Sequence, residues 1–411
     1  MDRIILHIDM NNFYASVESE LNPSLRGHPI AVCGSPQERH GIVLAKNYIA
    51  KSFGVKTGEA VWQARSKCPG ILFIKPHYSE YMKYSEFARG IYCSYTDRIE
   101  PYGMDECWID ITRSSGAKNG FQIADEIRER IKSELGITVS IGVSWNKIFS
   151  KLGSDMKKPD AVTCIFRDNY KEKVWPLAAS EMLGVGRSVE AALLKNGIIT
   201  IGDIAKASDE FLCRKFGKIG IALKLYATGE EHSEVISGCS DVPVKSVGHG
   251  NTAMQDLCDC SEVWPFILNL SQDVGARLHE LNKRAGGISV TVRDNRLKFR
   301  EWQCQLPVPT QSQSVIAGYA YELFEKNYKW QLPIRTLVVR AINLTETETP
   351  LQYSVFCDST DTDRIESLDD TVTEVRSRFG DFSLKHAVIY GNMKIPPSGG
   401  SKIVMPTGML S

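Results

Sequence analysis

The stretch that decides the fold is IILHIDMNNFYASVESEL, residues 4–21. Its first part, Ile4–Ile8, is a short apolar run that predicts a buried strand, and this strand ends at Asp9. The following segment, 11–21, predicts a helix because its large apolar side chains recur every four residues, at Phe13, Val17 and Leu21. The carboxylate of Asp9 therefore lies between the end of a predicted buried strand and the start of a predicted helix.

A second acidic site, Asp105 and Glu106, lies at the predicted turn between strands at about 98–102 and 107–111. If these strands are neighbours of the strand ending at Asp9, three carboxylates meet at one sheet edge. Close carboxylates disfavour their charged forms, so the cluster would require divalent cations. Oxygen ligands favour Mg²⁺ or Mn²⁺, and two ions about 3.5–4 Å apart could hold both oxygens of a phosphoryl displacement. An alternative stays open, since hairpin acids are often merely solvated and an Asp after a strand often caps a helix.

The wider chain predicts several domains. Strands and helices alternate up to about residue 160, which indicates an α/β or α+β layer domain. Its most regular amphipathic helix is predicted at Gly120–Leu135, where apolar residues recur every four positions. Residues 168–230 predict short helices broken by glycine, and 233–246 read as a polar linker. Residues 247–345 read as strand, helix, strand, strand, helix, strand, which predicts a four-stranded sheet covered by two helices. The predicted strands are Val247–Thr252, Ile288–Arg293, Glu301–Leu306 and Thr336–Leu344, and the predicted helices are Trp264–Asn282 and Gln311–Asn327.

Composition sets broad limits on location and partners. The chain has 411 residues, a formal net charge of +0 and eleven cysteines, none in a C-x-x-C pair. We see no signal peptide and no apolar run of about 18 residues, so we expect free thiols in the cytoplasm and no membrane span. Zero net charge neither indicates nor excludes nucleic acid, because binding depends on where the charge lies.

Four separate motifs carry a resemblance to a known family. The stretch IDMNNFYASVE, residues 8–18, closely resembles the opening motif of bacterial Y-family DNA polymerases. The stretch YGMDECWID, residues 102–110, resembles their second catalytic motif. SIGVSWNK (140–147) and DMKKP (155–159) are similar to the third and fourth. Order and spacing also match, and the resemblance covers the chain up to about residue 345.

The resemblance implies an α+β multidomain, right-hand polymerase fold. It implies a ferredoxin-like palm at 1–11 and 79–167, small fingers at 12–78, and a helical, helix-hairpin-helix-like thumb at 168–232. A linker at 233–244, a four-stranded α/β little finger at 245–345 and a tail at 346–411 would follow.

The resemblance also implies roles for single residues. Asp9, Asp105, Glu106 and the carbonyl of Met10 match the ligands of two Mg²⁺ ions, for which Mn²⁺ could substitute. Tyr14 matches the steric gate, an aromatic ring that leaves no room for the 2′-hydroxyl of a ribonucleotide. Three residues match the set that binds the triphosphate of the incoming nucleotide: Tyr48, Lys51 and Lys158.

Some positions depart from the family pattern. Lysine at position 51 replaces a frequent arginine and so loses a bidentate contact. Asn11 stands where many relatives have Asp, which argues against Asn11 as a ligand. The combination of Asn11 and Tyr14 favours the branch of the DNA polymerase V catalytic subunit over the DNA polymerase IV branch. Both branches stay open as predictions. The carboxylates are intact, so we expect an active enzyme.

Contacts with DNA and a clamp are also predicted. The glycine-paired turn with Gly184 and Gly186 resembles a helix-hairpin-helix element, whose backbone N–H groups can bind phosphates without reading sequence. A similar turn at 217–220 could equally be helix capping. Basic residues of the little finger could follow a duplex backbone, and we select Arg293, Arg296, Lys298 and Arg300. QYSVF, residues 352–356, resembles a sliding-clamp-binding peptide, with Gln352, Val355 and Phe356 as its anchors.

The activity implied is low-fidelity, DNA-directed DNA synthesis that extends a primer 3′-hydroxyl past damaged template as part of DNA repair. The expected partners are primer-template DNA, dNTPs and the sliding clamp, and we expect a monomer. Two other classes stay open: a catalytically silent DNA-binding or scaffold member of the family, and a nucleotide cyclase with a palm-like domain. The basic little finger argues against the cyclase.

Overall fold

A central strand, Ile5–Met10, organises the first half of the molecule, which is described by a computed structural model. The structure describes residues 2–34, 41–114, 116, 118–236, 244–350, 359–380, 383–390 and 394–396. These residues form two compact units, one with residues 2–34 and 42–236 and one with residues 244–396 as its main part.

The strands and helices of the first unit are, in chain order, β1 (Ile5–Met10), α1 (Phe13–Leu21), β2 (Ile30–Cys33), β3 (Val43–Lys46), α2 (Tyr48–Ser52), α3 (Val61–Lys67), β4 (Leu72–Ile74), α4 (Tyr78–Cys93), β5 (Ile99–Pro101), β6 (Glu106–Asp110), α5 (Gly120–Leu135), β7 (Val139–Ser144), α6 (Lys147–Met156), β8 (Ala161–Cys164), α7 (Tyr170–Val174), α8 (Arg187–Lys195), α9 (Ile201–Lys206), α10 (Asp209–Phe216) and α11 (Lys218–Thr228). Those of the second unit are β9 (Ser246–Leu257), α12 (Cys260–Glu280), β10 (Lys283–Asp294), β11 (Phe299–Thr310), α13 (Gln313–Asn327), β12 (Ile334–Glu346) and α14 (Ser359–Phe379).

Strand β1 is the middle of a five-stranded sheet with the order β5-β6-β1-β7-β8. It pairs antiparallel with β6 and with β7, and all six of its residues are buried. A strand covered on both faces reads as a continuous apolar run, which explains the sequence of Ile4–Ile8. The prediction that the strand ending at Asp9 is a neighbour of the acidic hairpin is confirmed by this pairing.

Helix α6 packs against β1 and β7. At Gly142 of β7 the approach is so close that an added Cβ would lie 1.8 Å from the carbonyl oxygen of Ser150. Only glycine therefore allows α6 to lie this close to the sheet. Helix α5 begins with a capping box at Asn119 and ends at Gly136, whose φ is +71°, so its predicted bounds of 120–135 match the observed ones.

Two smaller groups complete the first unit. A three-stranded sheet with the order β3-β2-β4 is accompanied by α1, α2 and α3, and it lies in the segment predicted as fingers. Helices α7–α11 surround an apolar cluster that includes Leu193, Ile201 and Leu223, and they lie in the segment predicted as thumb.

The second unit is a four-stranded antiparallel sheet with the order β11-β10-β12-β9, against which α12 and α13 pack. This is the predicted arrangement, with each strand longer than predicted. Helix α14 joins the N-terminus of α13 through the buried carboxylate of Asp369, which accepts hydrogen bonds from the backbone and the hydroxyl of Ser314, at 2.9 Å each, and from the hydroxyl of Ser312.

Two observations bear on the compositional predictions. None of the helices within the described ranges is long and apolar enough to cross a membrane. The nine cysteines that the structure describes are all free thiols.

Candidate active site

The three predicted carboxylates meet at one end of two neighbouring strands. Asp9 lies opposite Glu106 in the antiparallel register of β1 and β6. The backbone N–H of Met10 donates to the carbonyl of Asp105 at 2.9 Å, which fixes the turn before β6 to the end of β1. Gly103 forms this turn with a φ of +102°, a conformation that side-chain-bearing residues rarely adopt. The strand pairing therefore places the acidic side chains together.

Two lysines, one on α6 and one just after it, pair with two of these carboxylates. Nζ of Lys158 lies 2.6 Å from Oδ2 of Asp9 and 2.9 Å from Oδ1 of Asp155. Nζ of Lys151 forms an ion pair with Oε2 of Glu106 and lies 5.1 Å from the ring centre of Tyr102. In the part of the chain that the structure describes, no group of three or more His, Cys, Asp or Glu side chains is arranged to hold a metal ion. The carboxylates here bind ammonium groups.

The protonation equilibria of the carboxylates are strongly shifted. Burial raises the pKa of Asp9 to about 7, because it outweighs the attraction of Lys158, and the neighbouring negative charges add to it. Burial and the charge of Glu106 raise the pKa of Asp105 to about 6. Burial alone would also raise the pKa of Glu106, but His7 and Lys151 outweigh it and lower that pKa to about 2. Such opposed shifts within one cluster are typical of functional sites.

A buried histidine lies beneath the cluster. His7 of β1 is fully buried, and its Nδ1 lies 2.8 Å from Oγ of Ser154 on α6. Its Nε2 lies 3.2 Å from Oε2 of Glu106, in an orientation that does not form a hydrogen bond. Burial lowers the pKa of His7, which favours the neutral ring. The sequence analysis did not select His7, although its place two residues before Asp9, on the same face of the strand, was a usable signal.

The donor set fits divalent cations. All three side chains offer oxygen atoms, and both Asp9 and Asp105 are destabilised as anions by burial and by their neighbours. A divalent ion would relieve this repulsion, and carboxylate oxygens are the ligands that Mg²⁺ and Mn²⁺ prefer. The two lysines would have to leave the carboxylates for an ion to bind.

The predicted steric gate, Tyr14, lies beside these carboxylates. Its ring stacks on Tyr81 with centroids 4.3 Å apart and an interplanar angle of 12°. Its hydroxyl lies 3.7 Å from the sulfur of Met104, directly before the acidic pair. Burial and the charge of Asp105 raise the pKa of Tyr14 to about 12, so the phenol stays neutral.

The predicted triphosphate-binding residues lie near the same cluster. Tyr48 opens α2, and burial raises its pKa, with smaller influences from the charges of Lys158 and Asp9. Nζ of Lys51 lies 5.5 Å from the ring centre of Tyr48. Lys46, which the sequence analysis did not select, is a further cation in this region. Burial and the nearby charge of Lys51 lower the pKa of Lys46. Lys158 thus lies near both Asp9 and Tyr48, Lys51 lies near Tyr48, and Lys46 lies near Lys51.

Asn11, which the sequence analysis argued against as a ligand, and Asp110 at the end of β6 both have structural partners. Oδ1 of Asn11 accepts a hydrogen bond from the backbone of Asp160 at 2.9 Å, and Nδ2 donates to Oγ of Ser140 at 3.0 Å. The carboxylate of Asp110 accepts a hydrogen bond from the backbone of Thr112 at 2.9 Å. Neither side chain belongs to the acidic cluster.

The first glycine-paired turn lies close to α6. Gly184 has a φ of +89°, and Gly186 directly precedes α8. Together with Lys151 and Asp155, this turn lines a cavity of about 370 Å³. The second turn has a structural explanation: an added Cβ at Gly220 would lie 2.4 Å from the carbonyl oxygen of Leu212 on α10. Close helix packing therefore accounts for Gly220.

The four basic residues predicted to bind DNA lie in the second unit, around the tip of the β10–β11 hairpin. Arg293 stacks over the ring of Phe299 at 4.8 Å, and Arg300 donates to the side chain of Gln331 at 2.9 Å. Arg296 and Lys298 have exposed side chains, while their backbone N–H groups donate to Asp294. The tip is therefore a rigid, basic projection. The predicted clamp-binding residues, Gln352, Val355 and Phe356, lie outside the described residues.

Comparison with known proteins identifies the class. The sequence profile of the impB/mucB/samB family matches residues 8–155, and that of its C-terminal domain matches residues 244–355. A solved structure, the Y-family DNA polymerase chimera Dbh-Dpo4(243-245)-Dbh, superposes with a TM-score of 0.75 over 84% of this chain and 99% of its own, at 23% identity. Curated relatives that are up to 47% identical align over most of the chain. The chain therefore belongs to the Y family of DNA polymerases, and its fold is the right-hand fold with a little finger.

The curated relatives make the assignment more specific. DNA polymerase IV of Acetivibrio thermocellus is 47% identical over 95% of this chain and 98% of its own length. DNA polymerase IV of Clostridium acetobutylicum is 35% identical over 95% and 98%, and DNA polymerase IV 1 of Bacillus subtilis is 36% identical over 84% and 83%. These names favour the DNA polymerase IV branch. They do not support the prediction, based on Asn11 and Tyr14, that the chain is closer to DNA polymerase V.

Proposed function

We propose that this protein is a DNA-directed DNA polymerase that extends primers across damaged template with low fidelity. The observation that carries the proposal is the meeting of Asp9, Asp105 and Glu106 at the end of two paired central strands. The relatives named DNA polymerase IV support the same activity. The presence of all three carboxylates, with perturbed pKa values, argues against a catalytically silent scaffold.

In this proposal the residues around the cluster bind and orient the incoming nucleotide. The ring of Tyr14 lies under the sugar, where it excludes a 2′-hydroxyl. Lys51, Lys158 and the hydroxyl of Tyr48 bind the triphosphate and offset the charge that develops on the leaving pyrophosphate. Lys46 is close enough to Lys51 to join this set.

The cofactor in this proposal is a pair of Mg²⁺ ions, held by Asp9, Asp105, Glu106 and the carbonyl of Met10. When bound, such ions stabilise the deprotonated primer hydroxyl and the charge of the leaving group. The carboxylates would position the primer end against the α-phosphate of the nucleotide.

The proposal assigns the palm to residues 1–11 and 79–167, the fingers to 12–78, the thumb to 168–232 and the little finger to 245–345. The turn with Gly184 and Gly186 and the basic tip of the β10–β11 hairpin would bind the backbone of primer-template DNA. Residues 352–356 would bind the sliding clamp of a bacterial cytoplasm, and the polymerase would act as a monomer.

Primer extension with Mg²⁺ tests the proposal. Asp105→Ala and Glu106→Ala should each reduce nucleotide incorporation by about 1000-fold, because each leaves the metal-binding set incomplete. Glu86→Ala is the matched control, since Glu86 is an exposed carboxylate of α4 outside the cluster, and it should leave the rate unchanged. Undiminished synthesis by both site variants would overturn the assignment.

A further inference from the structure

The strongest unexplained feature of the site is the fully buried His7, whose Nε2 has no hydrogen-bond partner among the described residues. A buried polar atom without a partner is uncommon and usually indicates a ligand or a functional arrangement. This atom points at Glu106, with Nε2 and Oε2 only 3.2 Å apart. A small rotation of the carboxylate would complete a hydrogen bond.

The two contacts of Glu106 converge on the same oxygen. His7 approaches Oε2 from β1, and Lys151 approaches Oε2 from α6. Within the described ranges, no hydrogen bond or ion pair reaches Oε1. The arrangement thus separates the two oxygens of Glu106 into one that is held and one that is available for a ligand.

The two groups that approach Oε2 differ in whether a bound metal ion would displace them. The ammonium of Lys151 is carried by a flexible four-carbon side chain and is a cation, so a metal ion would compete with it. The imidazole of His7 is fixed by burial, by the tilted ring of Trp108 at a centroid distance of 5.0 Å, and by Ser154. Only His7 can therefore hold Oε2 in the same place before and after an ion binds.

A favourable contact between His7 and Glu106 requires one particular position of the hydrogen on the imidazole ring. A neutral imidazole carries one hydrogen, and a carboxylate oxygen only accepts, so the hydrogen must be on Nε2 for the contact with Glu106 to be favourable. Nδ1 then needs a donor, which is the hydroxyl of Ser154 at 2.8 Å. That hydroxyl can also donate to the carbonyl of Lys151 at 2.7 Å, so it has two alternative acceptors.

We propose that His7 is a positioning residue for the polymerase reaction: it holds Oε2 of Glu106, so that Oε1 is presented to the divalent ions. Ser154 contacts Nδ1 of the ring, and its hydroxyl can donate to Nδ1 when the imidazole hydrogen is on Nε2. This inference rests on the proposed function, in which Glu106 binds metal. Groups that orient a metal-binding carboxylate typically change metal affinity or activity by about 10- to 100-fold when they are removed.

Two substitutions of His7 separate positioning from packing. In His7→Gln the amide nitrogen reaches about as far as Nε2, so it can still donate to Glu106, whereas in His7→Asn the amide ends near the place of Nδ1 and keeps only Ser154. We expect His7→Asn to lower the maximal rate of incorporation by about tenfold with the KM for dNTP within about twofold. We expect His7→Gln to stay within about threefold of the unsubstituted protein in both quantities.

A second readout does not depend on turnover. With a primer that ends in a dideoxynucleotide, the full-length protein forms a ternary complex that cannot react, and its formation is titrated with Mg²⁺. His7→Asn should require about tenfold more Mg²⁺ for half-maximal complex, and His7→Gln should not. Equal behaviour of the two variants in both measurements would contradict the positioning role, since a role in packing alone would not distinguish them.

Three further variants keep the result interpretable. If either His7 variant fails to fold by circular dichroism, Ser154→Ala replaces it, because it removes only the donor to Nδ1; an unchanged Mg²⁺ requirement would then overturn the proposal. Asp105→Ala and Glu106→Ala separate the two hypotheses. Retained synthesis in both of these variants sinks the proposed function itself, whereas loss of synthesis in them together with an unaffected His7→Asn sinks only the role of His7.

Discussion

Tyr14 packs against two other tyrosine rings, those of Tyr81 and Tyr78. Its ring stacks on Tyr81, whose hydroxyl donates to the buried carboxylate of Glu18, and it meets Tyr78 edge-on at 5.9 Å. Nδ1 of His77 also contacts Glu18, at 2.9 Å. A ring held on two sides has little freedom to move away from a nucleotide sugar, which is what a steric gate requires.

We therefore predict that Tyr14→Ala admits ribonucleotides. Removing the ring should raise the ratio of rNTP to dNTP incorporation by about 10- to 100-fold, because the space for a 2′-hydroxyl opens. Tyr14→Phe is the matched control, since it keeps the ring and should leave the ratio unchanged. Steady-state kinetics with both nucleotide types measure the effect, and unaltered sugar selection in Tyr14→Ala would remove Tyr14 from this role.

The sequence alone predicted the three carboxylates, but it did not predict which side chains contact them. Asp9, Asp105 and Glu106 were predicted because each lies at the end of a recognisable strand within a motif. Lys151 and His7 were not, because their roles depend on which helix face meets which strand face. That pairing is set by the approach of α6 to β1 and β7, which no local pattern encodes.

At the scale of elements, α6 is the part on which the site depends most. It carries Lys151 and Ser154, and Lys158 follows two residues after its last residue, Met156. Each of these three side chains contacts a residue of the acidic cluster or His7. Its distance from the sheet is set by Gly142, where even a methyl group would meet the helix backbone. The positions of these three side chains therefore depend on one glycine of the neighbouring strand.

Gly142→Ala should consequently lower both stability and activity. Overpacking between β7 and α6 should cost about 3 kcal/mol and displace the lysines, so the unfolding temperature and the rate of primer extension should both fall. Gly90→Ala is a suitable control, because a Cβ at this exposed helical site meets nothing within 4 Å. It should be neutral or stabilising by about 0.5–1 kcal/mol. Identical thermal unfolding of the two variants would contradict this account of α6.

The β10–β11 hairpin makes a different kind of contribution, through charge. Arg296 and Lys298 project from a tip whose backbone is fixed by Asp294. Each of these side chains that neutralises a DNA phosphate should contribute about 0.9 to the slope of log affinity against log salt. We predict that Arg296→Ala and Lys298→Ala each lower this slope by about one, measured by fluorescence anisotropy across a salt series.

The control for the hairpin is Lys326→Ala. Lys326 is an exposed cation of the same unit, on α13 and away from the hairpin tip. Its removal should leave the salt slope unchanged. If all three variants behave alike, the tip has no special part in binding DNA.

The bounds of a helix or strand were predictable where its capping residues and its pattern of apolar residues indicate the same ends. Helix α5 has a capping box, a strict apolar period and a terminal glycine, and its bounds were predicted without error. Helix α12 begins four residues before the predicted start at Trp264, because Asp259 caps it by accepting hydrogen bonds from the backbones of Ser261 and Glu262. The strands of the second sheet extend beyond their apolar centres, since backbone pairing continues where side-chain alternation weakens.

At the scale of the whole molecule, the described residues that follow the four-stranded sheet belong to the second unit. Ile389 is buried in the core of that unit, and Lys394 pairs with Glu262 of α12 while its carbonyl accepts a hydrogen bond from the backbone of Met254. Helix α14 is joined to α13 by Asp369. The tail, to which the sequence analysis assigned only a possible clamp peptide, is therefore structural in this part.

We predict that Asp369→Ala destabilises the second unit. The change leaves the buried donors of Ser312 and Ser314 without an acceptor, which should cost about 1–3 kcal/mol. Asp370→Ala is the matched control, because that carboxylate is 61% exposed and only 3.3 Å from His279, and its loss should cost under about 0.5 kcal/mol. Thermal unfolding of the isolated variants decides the matter, and equal melting temperatures would show that α14 contributes no stability.

The lysines that hold Asp9 and Glu106 have a consequence for how the enzyme is loaded. Binding of divalent ions at this site is an exchange of cations, since the ammonium groups of Lys158 and Lys151 must leave as the ions arrive. A nucleotide triphosphate offers the departing ammonium groups a new anionic partner. Metal and nucleotide should therefore bind cooperatively, and an idle polymerase should keep a site whose carboxylates are partly neutralised by lysines and that neither ligand can occupy well without the other.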